Sequence, residues 1–88
     1  MALSKLELGF AAVLLDLAAT EFFNHGCNDF PVENTDGNWE YAKREMAYMQ
    51  NEKEAARMER PEPGQSICLH NASMMRYLAH RLEVESRT

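Results

Sequence analysis

Two cysteines, three prolines and four glycines are all that this 88-residue chain carries of each, and these shortages exclude several functions at the outset. Cys27 and Cys68 alone cannot make a disulfide scaffold. With no secretory leader, the expectation is a reducing cytoplasm with both thiols free. The glycines stand apart at 9, 26, 37 and 64, so no loop has the density needed to cradle a phosphate. Basic residues are also short, nine Lys and Arg against fourteen Asp and Glu for a net charge of −5. They are scattered and usually have acids beside them, whereas a nucleic-acid binder concentrates positive charge to displace phosphate counterions. Binding to DNA or RNA is therefore not expected.

A long hydrophobic run is missing as well. "LGFAAVLL" follows Glu7 and stops at Asp16, which is too short to span a bilayer and fits an amphipathic helix better than a leader peptide. No membrane association is expected. There is no internal repeat and no low-complexity segment.

What is present is ordinary globular composition, 45% apolar and 26% charged residues, which disfavours disorder. Residues 1–88 are expected to form a single domain with a modest core, small enough for a partner subunit or a metal to add to its stability.

Ser4 followed by Glu7 three residues on is a capping box, and it opens a helix expected over 4–24. Leu3 and Leu8 stand at the positions of a hydrophobic staple. Leu6, Phe10, Val13, Leu14 and Leu17 recur at helical spacing, and Leu8, Ala11, Leu15 and Ala18 widen the apolar stripe. A helix apolar over more than one face is expected at the centre of the fold. Gly26 suits the left-handed residue that ends many helices, Asn28 and Asp29 favour a turn, and "FPV" is extended because a residue before proline avoids the α region.

A second helix is expected over 36–58, capped by Thr35 or Asp36. Trp39, Ala42, Met46 and Met49 share one face, and Lys53, Arg57 and Arg60 gather toward its end, complementing the dipole. After the loop "RPEPGQ", residues 66–69 read as a short strand whose best partner is the stretch at 30–32. A third helix follows over 72–84, capped by Asn71, with Met75, Leu78 and Leu82 toward the core beside Met74 and Tyr77. The fold class is mainly α, a three-helix domain with a minor two-stranded β element.

Chemistry is suggested by His25-x-Cys27 and its mirror Cys68-x-His70. Two His and two Cys form an allowed tetrahedral zinc set. Structural zinc motifs, however, space paired ligands by two to four residues, and with one residue between them both side chains aim at one ion only from extended or irregular backbone. The plainer reading assigns Gly26 to a turn, the cysteines to small apolar packing and the histidines to helix ends. No cofactor is therefore expected, and zinc bound by these residues is the alternative. A catalytic Cys–His pair is chemically conceivable, but no nucleophile motif or oxyanion loop accompanies it, so no enzyme is expected. Glu21 stands one turn before His25 and is expected to pair with it.

The remaining feature is the aromatic and methionine content of the second helix. Tyr41, Tyr48, Met49 and Met58 suit a protein interface, where such residues are enriched, against a reading in which they cover the core's edge with their hydroxyls in water. The expectation is a non-enzymatic interaction protein that forms a homodimer.

"NHGCNDF", together with the closing "MMRYLAHRLE", resembles small hypothetical proteins encoded by bacteriophages and prophages, over about a quarter of the chain. In these a leucine-rich first helix ends in a similar turn, and the chain finishes on a short strand and a helix. The resemblance implies expression in the cytoplasm of a bacterial host and action by modulating or inhibiting a host protein, including one of antiviral defence. It carries over no functional residue.

Overall fold

The computed structural model describes residues 2–26 and 28–88. The fold is mainly α with a small antiparallel sheet. Its elements are α1 (Lys5–Asn24), β1 (Asp29–Val32), α2 (Asp36–Met49), α3 (Glu52–Arg57), β2 (Ile67–His70) and α4 (Asn71–Ser86). The helices α1 and α4, from the two ends of the chain, form one compact unit, and Asn28–His70 forms a second.

In the first unit, α1 starts at the expected capping box. The Ser4 N–H donates to Glu7 Oε1 at 2.9 Å, and the Glu7 N–H donates to Ser4 Oγ at 3.1 Å. These bonds, the Ser4 backbone one foremost, hold the Glu7 carboxyl below the ordinary glutamate value. The helix ends at the cap His25, and Gly26 takes φ +87°, the left-handed conformation the sequence implied. α4 runs antiparallel to α1. A Cβ on Gly9 would lie 3.7 Å from Ser86 Oγ at one end, while Arg76 reaches Asp16 and Thr20 toward the other.

The buried residues of this unit are mostly small, Ala12 and Ala19 on α1 and Ala72 and Ala79 on α4 with Tyr77 the one large member, and Leu8 and Leu15 on α1 are half-buried. Alanine lets helix axes approach closely where ridges and grooves mesh. This reverses the expected centre of the fold. Leu6, Phe10, Val13, Leu14 and Leu17 are exposed, and the weaker stripe of small residues faces α4. The same preference holds on α4, where Tyr77 and the alanines are buried while Met74, Met75, Leu78 and Leu82 are only half-buried. α4 begins at Asn71 directly after β2 and continues to Ser86, two residues past the expected end.

In the second unit the strands pair as expected, Phe30 opposite Leu69 and Val32 opposite Ile67. Pro31, which lacks an N–H, is accommodated because both strands of a two-stranded sheet are edges. β2 alternates, with Ile67 and Leu69 buried and Cys68 exposed between them, and it packs on α2. Thr35 caps α2, its side chain accepting from the Asn38 N–H at 3.2 Å.

The single helix expected over 36–58 is two helices. Asn51 is extended at φ −173° and caps α3, its Oδ1 accepting from the Glu54 N–H at 2.9 Å. Asparagine competes with helical backbone in this way wherever an acidic first turn follows. The correction also redistributes the basic residues. Lys53 lies in the first turn of α3, Arg57 in its last, and Arg60 lies beyond it. Arg60 instead reaches back to the start of α2, where Nε donates to Asn34 Oδ1 at 2.9 Å and Nη1 to Asp36 Oδ1 at 2.7 Å. The Asn34 amide in turn donates to the Pro61 and Glu62 carbonyls, which closes the loop against the helix start.

Candidate functional site: an exposed apolar face of the first helix

The buried apolar set, counted among the described residues, is mostly alanine, with Ile67, Leu69 and Tyr77 the larger members, and no large side chain is fully buried. The bulky residues are placed outside. Leu3, at the entry to α1, and Leu6, Phe10, Val13, Leu14 and Leu17 along it are between 52% and 84% exposed. Single exposed leucines are common on any protein surface, but a contiguous stripe is informative.

The stripe is continuous because Leu3, Leu6, Phe10, Val13 and Leu17 alternate spacings of three and four residues, which keeps successive side chains on one line of a helix. No charge falls between Glu7 and Asp16. Asp16 turns toward α4, with its Oδ1 3.8 Å from Arg76 Nε. Glu21 is engaged by His25 at 3.2 Å, the pairing its spacing implied. The result is an apolar strip with ionic groups at its ends and on its far side.

The proposed metal ligands are distributed differently. His25 sits at the exposed end of α1. On β2, Cys68 is exposed and His70 half-buried, two residues apart and so on the same face of the strand. Cys27 lies outside the described residues. Among the described residues no group of three or more His, Cys, Asp or Glu is placed to hold one ion.

Of the expected interface residues on the second helix, Tyr48 is exposed, while Tyr41, Met49 and Met58 are half-buried. Met58 is the C-cap of α3 rather than part of a long shared face. Between α2 and α3 lies a cleft of about 320 Å³ rimmed by Glu40, Lys43, Arg44 and Glu52, and Lys43 pairs with Glu40 at 3.2 Å.

One residue escaped the sequence reading. Glu45 on α2 is buried, 7% exposed, and its Oε2 has no hydrogen-bond partner. Burial penalises its charged form and pushes the carboxyl up to about 7. The signal was available: Glu45 stands three residues after Ala42 and four before Met49, on the face that the apolar spacing assigns to the core.

Among the described residues no helix is long and apolar enough to cross a membrane. No family model matches the chain, and comparison with curated proteins and with solved structures finds no match to it.

Proposed function

We propose that this chain is a non-enzymatic protein-interaction module whose docking surface is the apolar face of α1. The observation that carries this reading is the outward placement of Leu6, Phe10, Val13, Leu14 and Leu17 while alanines fill the seam on the opposite side. A helix presenting anchors at such spacing is one of the recurrent modes of protein recognition. The exposed side of the second helix is the weaker candidate, since three of its four expected contact residues are already half-buried. The resemblance to phage-encoded proteins favours a bacterial host protein as a partner, and modulation or inhibition of that protein as the outcome.

The test is site-specific photocrosslinking in bacterial cells, with a photoreactive phenylalanine analogue at Phe10 and, as control, at Tyr48. Discrete adducts from position 10 and none from position 48 are expected. If position 10 yields no adduct of any kind, the surface has been wrongly assigned.

A further inference from the structure

We infer that the occupant of the α1 face is a second copy of this chain, with the two α1 helices packed antiparallel about a twofold axis. The inference rests on the reading of that face as a docking surface and names what docks there.

Three observations carry it. The first is area. Large apolar side chains exposed to this extent offer roughly 100 Å² each, so the stripe presents on the order of 600 Å² per chain. Two such faces, if fully covered, bury about 1,200 Å² together, the lower bound of a stable, specific interface. A typical monomer's largest apolar patch is already a candidate contact surface at that size.

The second is self-complementarity. The alternating three-and-four spacing of Leu3, Leu6, Phe10, Val13 and Leu17 is the repeat that lets two helices interlock knobs into holes. A twofold contact requires one patch to fit itself, and a stripe of this period does so without any further partner.

The third is charge, which selects the direction. In the antiparallel register that sets Leu6 against Leu17 and Phe10 against Val13 of the second copy, the acid nearest the seam, Glu7, falls beside an apolar Leu14. Antiparallel helices also oppose their dipoles. The alanine-rich core adds a motive for pairing. A chain of this size whose described residues include no fully buried large side chain gains most from covering its largest exposed apolar surface.

Light scattering on the purified full chain, over a wide range of concentrations, is the primary test. A mass of twice 10.1 kDa is expected, falling to that of a single chain in Phe10→Glu and in Leu17→Glu. The α1 helix content should be retained by circular dichroism, and Leu6→Glu, at the most exposed position, serves if either variant fails to fold. A single-chain mass for the unaltered protein at every concentration overturns the inference, and so does a double mass retained in folded variants.

Direction is read by oxidation in a background with Cys27 and Cys68 changed to serine. The double variant Leu6→Cys with Leu17→Cys should form an interchain disulfide. Within one helix those positions are about 16 Å apart, too far to bridge. Efficient crosslinking by Leu17→Cys alone would show a parallel pair and overturn the antiparallel arrangement. The photocrosslinking at Phe10 separates the two proposals. Adducts with other proteins only would leave the docking surface standing and remove the second copy, whereas the absence of any adduct removes both.

Discussion

The guanidinium of Arg76 stands over the ring of Phe23, 5.3 Å from its centroid, and the same side chain donates to Thr20 Oγ1 at 3.2 Å and lies 3.8 Å from Asp16. One residue of α4 therefore engages three residues of α1 spaced four and three apart. These are polar links across a seam whose buried residues are mostly alanine. A cation over an exposed ring, an exposed ion pair and one hydrogen bond are each worth under about 1 kcal/mol. Replacement of Arg76 by alanine should therefore lower stability by about 1–2 kcal/mol in urea unfolding. Lysine, which keeps the charge but not the planar fork, should recover less than half of the loss.

Glycine substitutions should have opposite signs at two positions. Gly26 has φ +87° and open space around its Cβ position, so Gly26→Ala meets backbone strain alone and should cost about 1–2 kcal/mol. Gly37 lies in the first turn of α2, also with nothing near. Gly37→Ala should stabilise by about 0.5–1 kcal/mol, because alanine restricts the unfolded chain and favours helix. Thermal melts of the two variants against the parent check both signs.

Glu45 makes stability depend on pH in a direction unusual for a carboxylate. Its folded value of about 7 lies above the ordinary 4.5, so the folded state binds more protons between those values. Stability is therefore fully present below about pH 4.5 and is lost as pH rises to about 7 and beyond. Raising a carboxyl pKa tenfold in proton affinity corresponds to about 1.4 kcal/mol, so the loss across this window is on the order of 3 kcal/mol. Glu45→Gln should flatten this part of the profile and stabilise the protein at neutral pH. Unfolding free energies measured from pH 4.5 to 8 would show it, and a parent profile that rises across that range would contradict the assignment.

Asn51 caps the second of the two helices in the middle of the chain. Removal of its side chain by Asn51→Ala takes away the acceptor for the Glu54 N–H and installs the strongest helix former at the break. The cap should be lost at a cost of about 1 kcal/mol. Amide exchange at residues 52–57 should then speed up more than exchange at residues 36–49.

Much of the backbone was legible in the residues. The Ser4 and Glu7 box, the Gly26 stop, the Thr35 cap and the pairing of "FPV" with "ICL" each follow from local rules that depend on a few neighbours. What was not legible depended on choosing between competing signals. α1 carries two apolar faces, and hydrophobicity alone favours burying leucine and phenylalanine. The structure buries the alanines, because Ala12, Ala19, Ala72 and Ala79 match one another in size along two helices distant in sequence. No single-helix pattern contains that match. The break at Asn51 was concealed by helix formers on both sides, although asparagine before "EKE" is itself a cap signal. Glu45 is inconspicuous because glutamate is ordinary on a helix, and its burial shows only when its face is set beside that of Ala42.

The pairing of the chain's two ends also sets an order in time. Thr20 and Arg76 are 56 residues apart, so on the ribosome α1 emerges with its alanine seam uncovered long before α4 exists. At synthesis rates of about 5–20 residues per second, the wait is on the order of 3–10 s, far longer than a helix needs to form. During that interval α1 is apolar on both sides. A nascent chain arrested after residue 70 should recruit cellular holdases strongly, and one arrested only after α4 has left the ribosome should recruit them less.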